Sequence, residues 1–204
     1  ALSHLTKRSL IVTYDVTPYL QEGENDLLIW IGQGWYKSTT FGAAYDGPLV
    51  KAELNVLRNG KWEVLTKTDS SWCGRESGYS DTGTWQALQF AGERVDGRIL
   101  PTDLSSQALN KMKWAPVVTV KVPDHIASPQ MCEVNKIYQK LQPVSIKQLN
   151  EDTWLVDMGR VQTGWFEMYM PTLPVGHEIT MEYSDNLTKD GEFDKQGESD
   201  IYIS

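Results

Sequence analysis

Leu27-Leu28-Ile29-Trp30-Ile31, closed by Gly32-Gln33-Gly34-Trp35-Tyr36, is the stretch that decides the fold. The first five residues are all apolar. A strand covered on both faces has this pattern, whereas a strand with one wet face alternates. Upstream, residues 10–14 are β-branched and aromatic and predict a strand ending at Thr13-Tyr14-Asp15-Val16-Thr17. Asp15 and Thr17 favour a turn there through side-chain bonds to nearby backbone, and Pro18 removes a ladder donor. Gln21-Glu22-Gly23-Glu24-Asn25-Asp26 is a polar turn leading into the apolar run. Downstream, Gly32 and Gly34 allow a sharp reversal into a long loop, residues 37–47, and loops of that length usually carry function or move.

The same grammar repeats outward. Residues 49–57 alternate, Asn59-Gly60 is a hairpin signal, and residues 62–66 are the return strand. Further strands are expected at 85–90, 114–122, 144–147, 153–157, 165–170, 178–183 and 201–203, with a short helix within 104–112. No 3.6-residue period persists. Many short strands separated by turn signals predict an all-β protein of two consecutive antiparallel, jelly-roll-like β-sandwich domains. The two prolines of Pro123-Asp124-His125-Ile126-Ala127-Ser128-Pro129 break the pattern, which places the boundary between residues 1–123 and 124–204.

The chain of 204 residues carries a net charge of -8, which argues against nucleic acid and against an anionic membrane as partners. No apolar run approaches the roughly 20 residues of a membrane helix. Cys73 and Cys132 stand far apart and read as two free, buried thiols. His4, His125 and His177 lack metal-ligand spacing, and neither a G-x-S-x-G nucleophile turn nor a phosphate-cradling glycine loop is present. Carboxylates are plentiful enough to supply a glycosidase pair, and Glu93 with Asp96 comes nearest to one. Arg94 and Arg98 beside them favour a structural ion-pair cluster at a strand end instead. Asp190, Glu192, Asp194 and Glu198 do not follow a calcium-loop order and read as a solvated charge run. Trp35, Tyr36, Tyr45 and Asp46 have a binding flavour. Such aromatics can stack on a sugar while the carboxylate takes its hydroxyls, or they can close the end of the core.

Several of these segments resemble one family in the family's own order. Thr13-Tyr14-Asp15-Val16-Thr17, Gly23-Glu24-Asn25-Asp26-Leu27, Gly32-Gln33-Gly34-Trp35-Tyr36, Asp69-Ser70-Ser71-Trp72 and Gly92-Glu93-Arg94-Val95-Asp96-Gly97-Arg98 resemble the N-terminal β-sandwich of bacterial α-L-rhamnosidases, glycoside hydrolase family 78. Val156-Asp157-Met158-Gly159-Arg160, Gly164-Trp165, Gly176-His177-Glu178-Ile179-Thr180 and Asn186-Leu187 with Asp190-Gly191 resemble the concanavalin-like β-sandwich that follows it. Asp15, Gly34, Glu93, Asp96, Arg98, Asp157, Gly164 and Trp165 are the structural landmarks of the series. The chain departs from the usual pattern at Val95, Gly97, Met158 and Arg160-Val161.

The resemblance implies a galactose-binding-like first sandwich lacking its first strands and a second sandwich cut at its C-terminus. It places catalysis in a downstream (α/α)₆ barrel that works by inversion, so this stretch alone is expected to be inactive. The implied partners are a rhamnose-containing glycan or glycoside and the barrel of the same parent chain. No cofactor is implied, apart from the calcium ion that helps some relatives of the first module bind rhamnose. A face that would pack on a barrel also predicts self-association when left open.

Overall fold

The computed structural model describes residues 7–32, 47, 49–83, 92–121, 126–195 and 197–204. Strand β1 (Arg8–Ile11) is followed by a turn in which the Thr17 amide donates to Asp15 Oδ1 at 3.0 Å. The next loop is tied by Asn25, whose amide group accepts from the Gln21 N–H and donates to the carbonyls of Gln21 and Gly23. Strands β2 (Glu53–Arg58) and β3 (Lys61–Lys67) form an antiparallel hairpin. Its turn has φ of 50° at Asn59 and 76° at Gly60, the pair of positive values that matches the twist of a tight hairpin.

Short strands follow at β4 (Cys73–Gly74), β5 (Tyr79–Asp81) and β6 (Glu93–Asp96). One turn of helix, α1 (Ser106–Leu109), is capped by Ser105, whose hydroxyl accepts from the Ala108 N–H. Strands β7 (Ala115–Pro116), β8 (Ile126–Pro129), β9 (Ser145–Asn150), β10 (Thr153–Asp157), β11 (Glu178–Glu182) and β12 (Ser199–Ile203) complete the described elements.

The protein is all-β apart from these short helical turns. Four two-stranded pairings, β1–β8, β2–β3, β4–β7 and β9–β10, surround one larger sheet in the order β11-β12-β6-β5. Most pairings are antiparallel, but β1–β8 and β12–β6 run parallel. Parallel neighbours need a long crossover, and both of these join strands far apart in sequence. The packing is open. Most of the described residues are half-buried or exposed. Leu109 and Ile203, at 8% and 5% exposure, are the buried hydrophobics among the described residues.

That openness overturns several expectations. Residues 27–31 form no regular strand, and Trp30 is 47% exposed with Tyr79 of β5 meeting its ring edge-on at 5.6 Å. A continuous apolar run marks residues that can be buried, and here the described residues supply no sheet to cover both faces. Residues 165–170 are likewise irregular and mostly exposed. Of residues 114–121 only Ala115–Pro116 forms regular strand, with the Val117 N–H adding one bond to the Trp72 carbonyl beyond it. Cys73 and Cys132 are free as expected but exposed rather than buried, one in a two-residue strand and one in an irregular segment. The acidic segment is partly ordered, with Leu187 bridged to Phe193 and the Thr188 N–H donating to the Glu192 carbonyl. It then runs into β12, which lies inside the large sheet.

Candidate functional site

Trp35, Tyr36, Tyr45, Asp46 and Gly34 lie outside the described residues. The remaining sequence-derived positions are placed, and they fall into two kinds.

Asp15 and Asp157 act locally, while Gly164 and Trp165 stand at the surface. Asp15 holds the turn described above, and the hydrogen bond from Thr17 keeps its carboxyl below the usual range. Asp157 ends β10, where its Oδ1 accepts from the Gly159 N–H at 2.7 Å and its carbonyl accepts from Val144. Gly164 has open space around its Cα, and Trp165 is exposed.

Glu93, Asp96 and Arg98 meet at the central sheet. Arg98 grips Asp96 with two parallel bonds, Nε to Oδ1 at 2.8 Å and Nη2 to Oδ2 at 2.7 Å, and its N–H donates to Oδ1 as well. Bidentate arginine–carboxylate pairs are both strong and geometrically fixed. The guanidinium accordingly lowers the Asp96 carboxyl to about 2, and the bonds to Asp96 raise the Arg98 value in turn. Glu93 sits differently. Burial pushes its carboxyl up, and the charges of Asp200 on β12 and Asp81 on β5 push it further. Three residues apart on one strand, Glu93 and Asp96 leave β6 on opposite faces. Asp96 is therefore a fixed anion and Glu93 a strained one, and the two do not converge on a common substrate atom as acid and base must.

The residue that sequence reasoning missed is Asp200. Its Oδ1 accepts the Glu93 N–H at 2.6 Å and its Oδ2 accepts the Tyr183 hydroxyl at 2.8 Å, so one carboxylate joins β6, β12 and the end of β11. Burial and the bond to Asp200 raise the Tyr183 hydroxyl well above the usual phenol range. A signal was present in Ser199-Asp200-Ile201-Tyr202-Ile203, where a lone carboxylate leads directly into a β-branched and aromatic run. Among the described residues no three His, Cys, Asp or Glu side chains are placed to hold a metal ion, and no helix is long and apolar enough to cross a membrane.

Two family descriptions match the chain along this framework. The α-L-rhamnosidase N-terminal domain matches residues 1–139, and the bacterial α-L-rhamnosidase concanavalin-like domain matches residues 147–204. The chain belongs to the bacterial α-L-rhamnosidase family. It is 27% identical over 195 residues to an α-L-rhamnosidase of Alteromonas sp. (strain LOR), covering 92% of this chain and 20% of that protein. Against an α-L-rhamnosidase of Formosa agariphila it is 26% identical over 179 residues, covering 82% of this chain and 18% of the relative. The solved structure of the α-L-rhamnosidase from Dictyoglumus thermophilum shares the fold, with a TM-score of 0.71 at 22% identity, over 98% of this chain and 22% of that one. The chain thus spans about a fifth of the length of the curated relatives it matches. In the α-L-rhamnosidase fold seen here, the central sheet crosses from one matched region to the other, because β5 and β6 belong to the first and β11 and β12 to the second.

Proposed function

We propose that this chain is a non-catalytic β-sandwich region of an enzyme that removes terminal α-L-rhamnose from glycans or glycosides, and that it works as a scaffold packed against the catalytic barrel of the same protein. The observation that carries this reading is the apolar surface of its hairpins. Trp62 and Val64 leave β3 on one face beside Leu57 of β2, and Trp62 is 72% exposed. Trp154 and Val156 leave β10 on one face beside Ile146 of β9, and Trp154 is 55% exposed. A two-stranded hairpin is marginal in water unless something covers its apolar face. Surfaces of this kind mark interfaces.

The test uses the whole enzyme and this chain side by side. This chain alone releases no rhamnose from an aryl rhamnoside, and release by the purified chain overturns the non-catalytic reading. Trp62→Ser with Trp154→Ser shifts the stability of this chain by no more than about 0.5 kcal/mol, as exposed sites do. In the whole enzyme the same pair lowers the melting temperature and the activity together. An unchanged melting temperature there removes the packing role.

A second reading rests on the chemistry of the loop residues Trp35, Tyr36, Tyr45 and Asp46: stacking on L-rhamnose, with calcium assisting. Titration calorimetry of this chain with L-rhamnose, with and without calcium, checks it. No heat under either condition removes it, and heat lost in Trp35→Ala supports it.

A further inference from the structure

We infer that the edge of β6 between Gly92 and Gly97 is a strand-docking site whose occupant is Ser199–Ile203 of this same chain, and that the two family regions consequently open and close as one unit. The geometry is specific to that occupant. β12 lies parallel to β6 with Arg94 opposite Ile201, Val95 opposite Tyr202 and Asp96 opposite Ile203. A glycine stands at each end of this register. A Cβ on Gly92 would overlap the Ser199 carbonyl, and one on Gly97 would lie 2.5 Å from the Tyr202 hydroxyl and 2.7 Å from the Ile203 carbonyl. Backbone neighbours that close leave no room for any side chain at either position. The last strand presses closest at Gly92, against the backbone of Ser199.

Directional bonds close the same seam. The Gly97 N–H donates to the Ile203 carbonyl at 2.7 Å, and Asp200 takes the Glu93 N–H on one oxygen and the Tyr183 hydroxyl on the other. The Gly92 carbonyl accepts from the Thr82 N–H at 3.0 Å, which ties β5 into the set. Ile203, the more deeply buried of the two core hydrophobics, sits at the end of the docked strand. Cooperative units of opening usually coincide with contiguous motifs. This one joins strands from both sides of residues 140–146, where neither family match extends.

Amide hydrogen exchange on the full chain, read strand by strand with a reciprocal pair of variants, tests this. Gly92→Ala alters only the first family region, and Tyr183→Phe alters only the second. Tyr183→Phe removes one hydrogen bond and is expected to accelerate exchange by about tenfold in β5, β6, β11 and β12 alike, and Gly92→Ala, whose Cβ meets the Ser199 carbonyl, by more in the same four strands, with β2–β3 left at the wild-type rate in both. If Gly92→Ala unfolds the chain, the milder Tyr183→Phe decides alone. Acceleration confined to the strands of the region that carries the substitution overturns the inference. So does protection of β6 that fades on dilution, because a second copy would then be supplying the strand.

Discussion

The central sheet and the hairpin β9–β10 both use isoleucine and tryptophan or tyrosine in regular strands, yet they hold together by different means. In the sheet, β12 has a neighbour on each side, a carboxylate clasping both, and Ile203 at 5% exposure. In the hairpin, each strand has one partner among the described residues and Ile146 is 65% exposed. The difference teaches that strand composition does not decide burial here. Position within a sheet does, because only an inner strand has both edges and at least part of a face removed from water.

Truncating the same residue type in both places breaks the comparison most sharply. Ile203→Ala should destabilise the chain by about 2–4 kcal/mol, the usual cost of emptying a buried isoleucine site. Ile146→Ala should cost less than about 0.5 kcal/mol. Urea unfolding followed by circular dichroism measures both. Equal costs would show that the hairpin face is covered in solution.

What the sequence made legible follows the same division. Asn59-Gly60 and the alternation before it specify β2–β3, because a hairpin is a local object whose turn chemistry and pattern sit within a few residues of each other. Residues 153–157 were read to the residue for the same reason. The seam was not legible. β6 and β12 are separated by about a hundred residues, and no local pattern says which distant strand will fill an edge. Gly92 and Gly97 stood out only through the family resemblance, and Asp200 did not stand out at all. The run at 27–31 failed in the opposite direction: its composition states that burial is tolerable, and nothing in it states what would cover it. Among the structural landmarks, Asp15 and Asp157 keep turn roles that their short-range hydrogen bonds explain.

The hairpin should respond instead to its turn. Gly60→Ala places a Cβ in open space, so its cost is purely that of holding a side-chain-bearing residue at φ 76°. About 1 kcal/mol is expected, because the left-handed region disfavours L residues by that order. Exchange rates in β2 and β3 should rise while those of β6 and β12 do not. A rise in both regions would mean the hairpin is mechanically part of the sheet.

The smallest expected effect is electrostatic, and it separates the two regions by pH. Glu93 faces Asp200 from β12 and Asp81 from β5, and burial with these like charges raises its carboxyl above the ordinary range. The folded chain therefore holds this proton more tightly than the unfolded chain does. Stability rises as pH falls through the raised value, until the unfolded glutamate is protonated too. Asp96 works in the opposite sense: Arg98 holds it near 2, so its contribution is present above the usual aspartate range and is lost as pH falls towards about 2. Asp15, Asp69 and Asp103, each lowered by hydrogen bonds to a neighbouring Thr or Ser, fade in the same direction as Asp96. Stability should then peak in mildly acidic solution. Glu93→Gln keeps the shape and removes the charge, so it should raise stability at neutral pH by about a few tenths of a kcal/mol after solvent screening. It should also abolish the rise on mild acidification and leave the fall below the aspartate range in place. Urea midpoints across the pH series measure this, and a Glu93→Gln profile parallel to the wild type would show that Asp81 and Asp200 do not act on Glu93 across the seam.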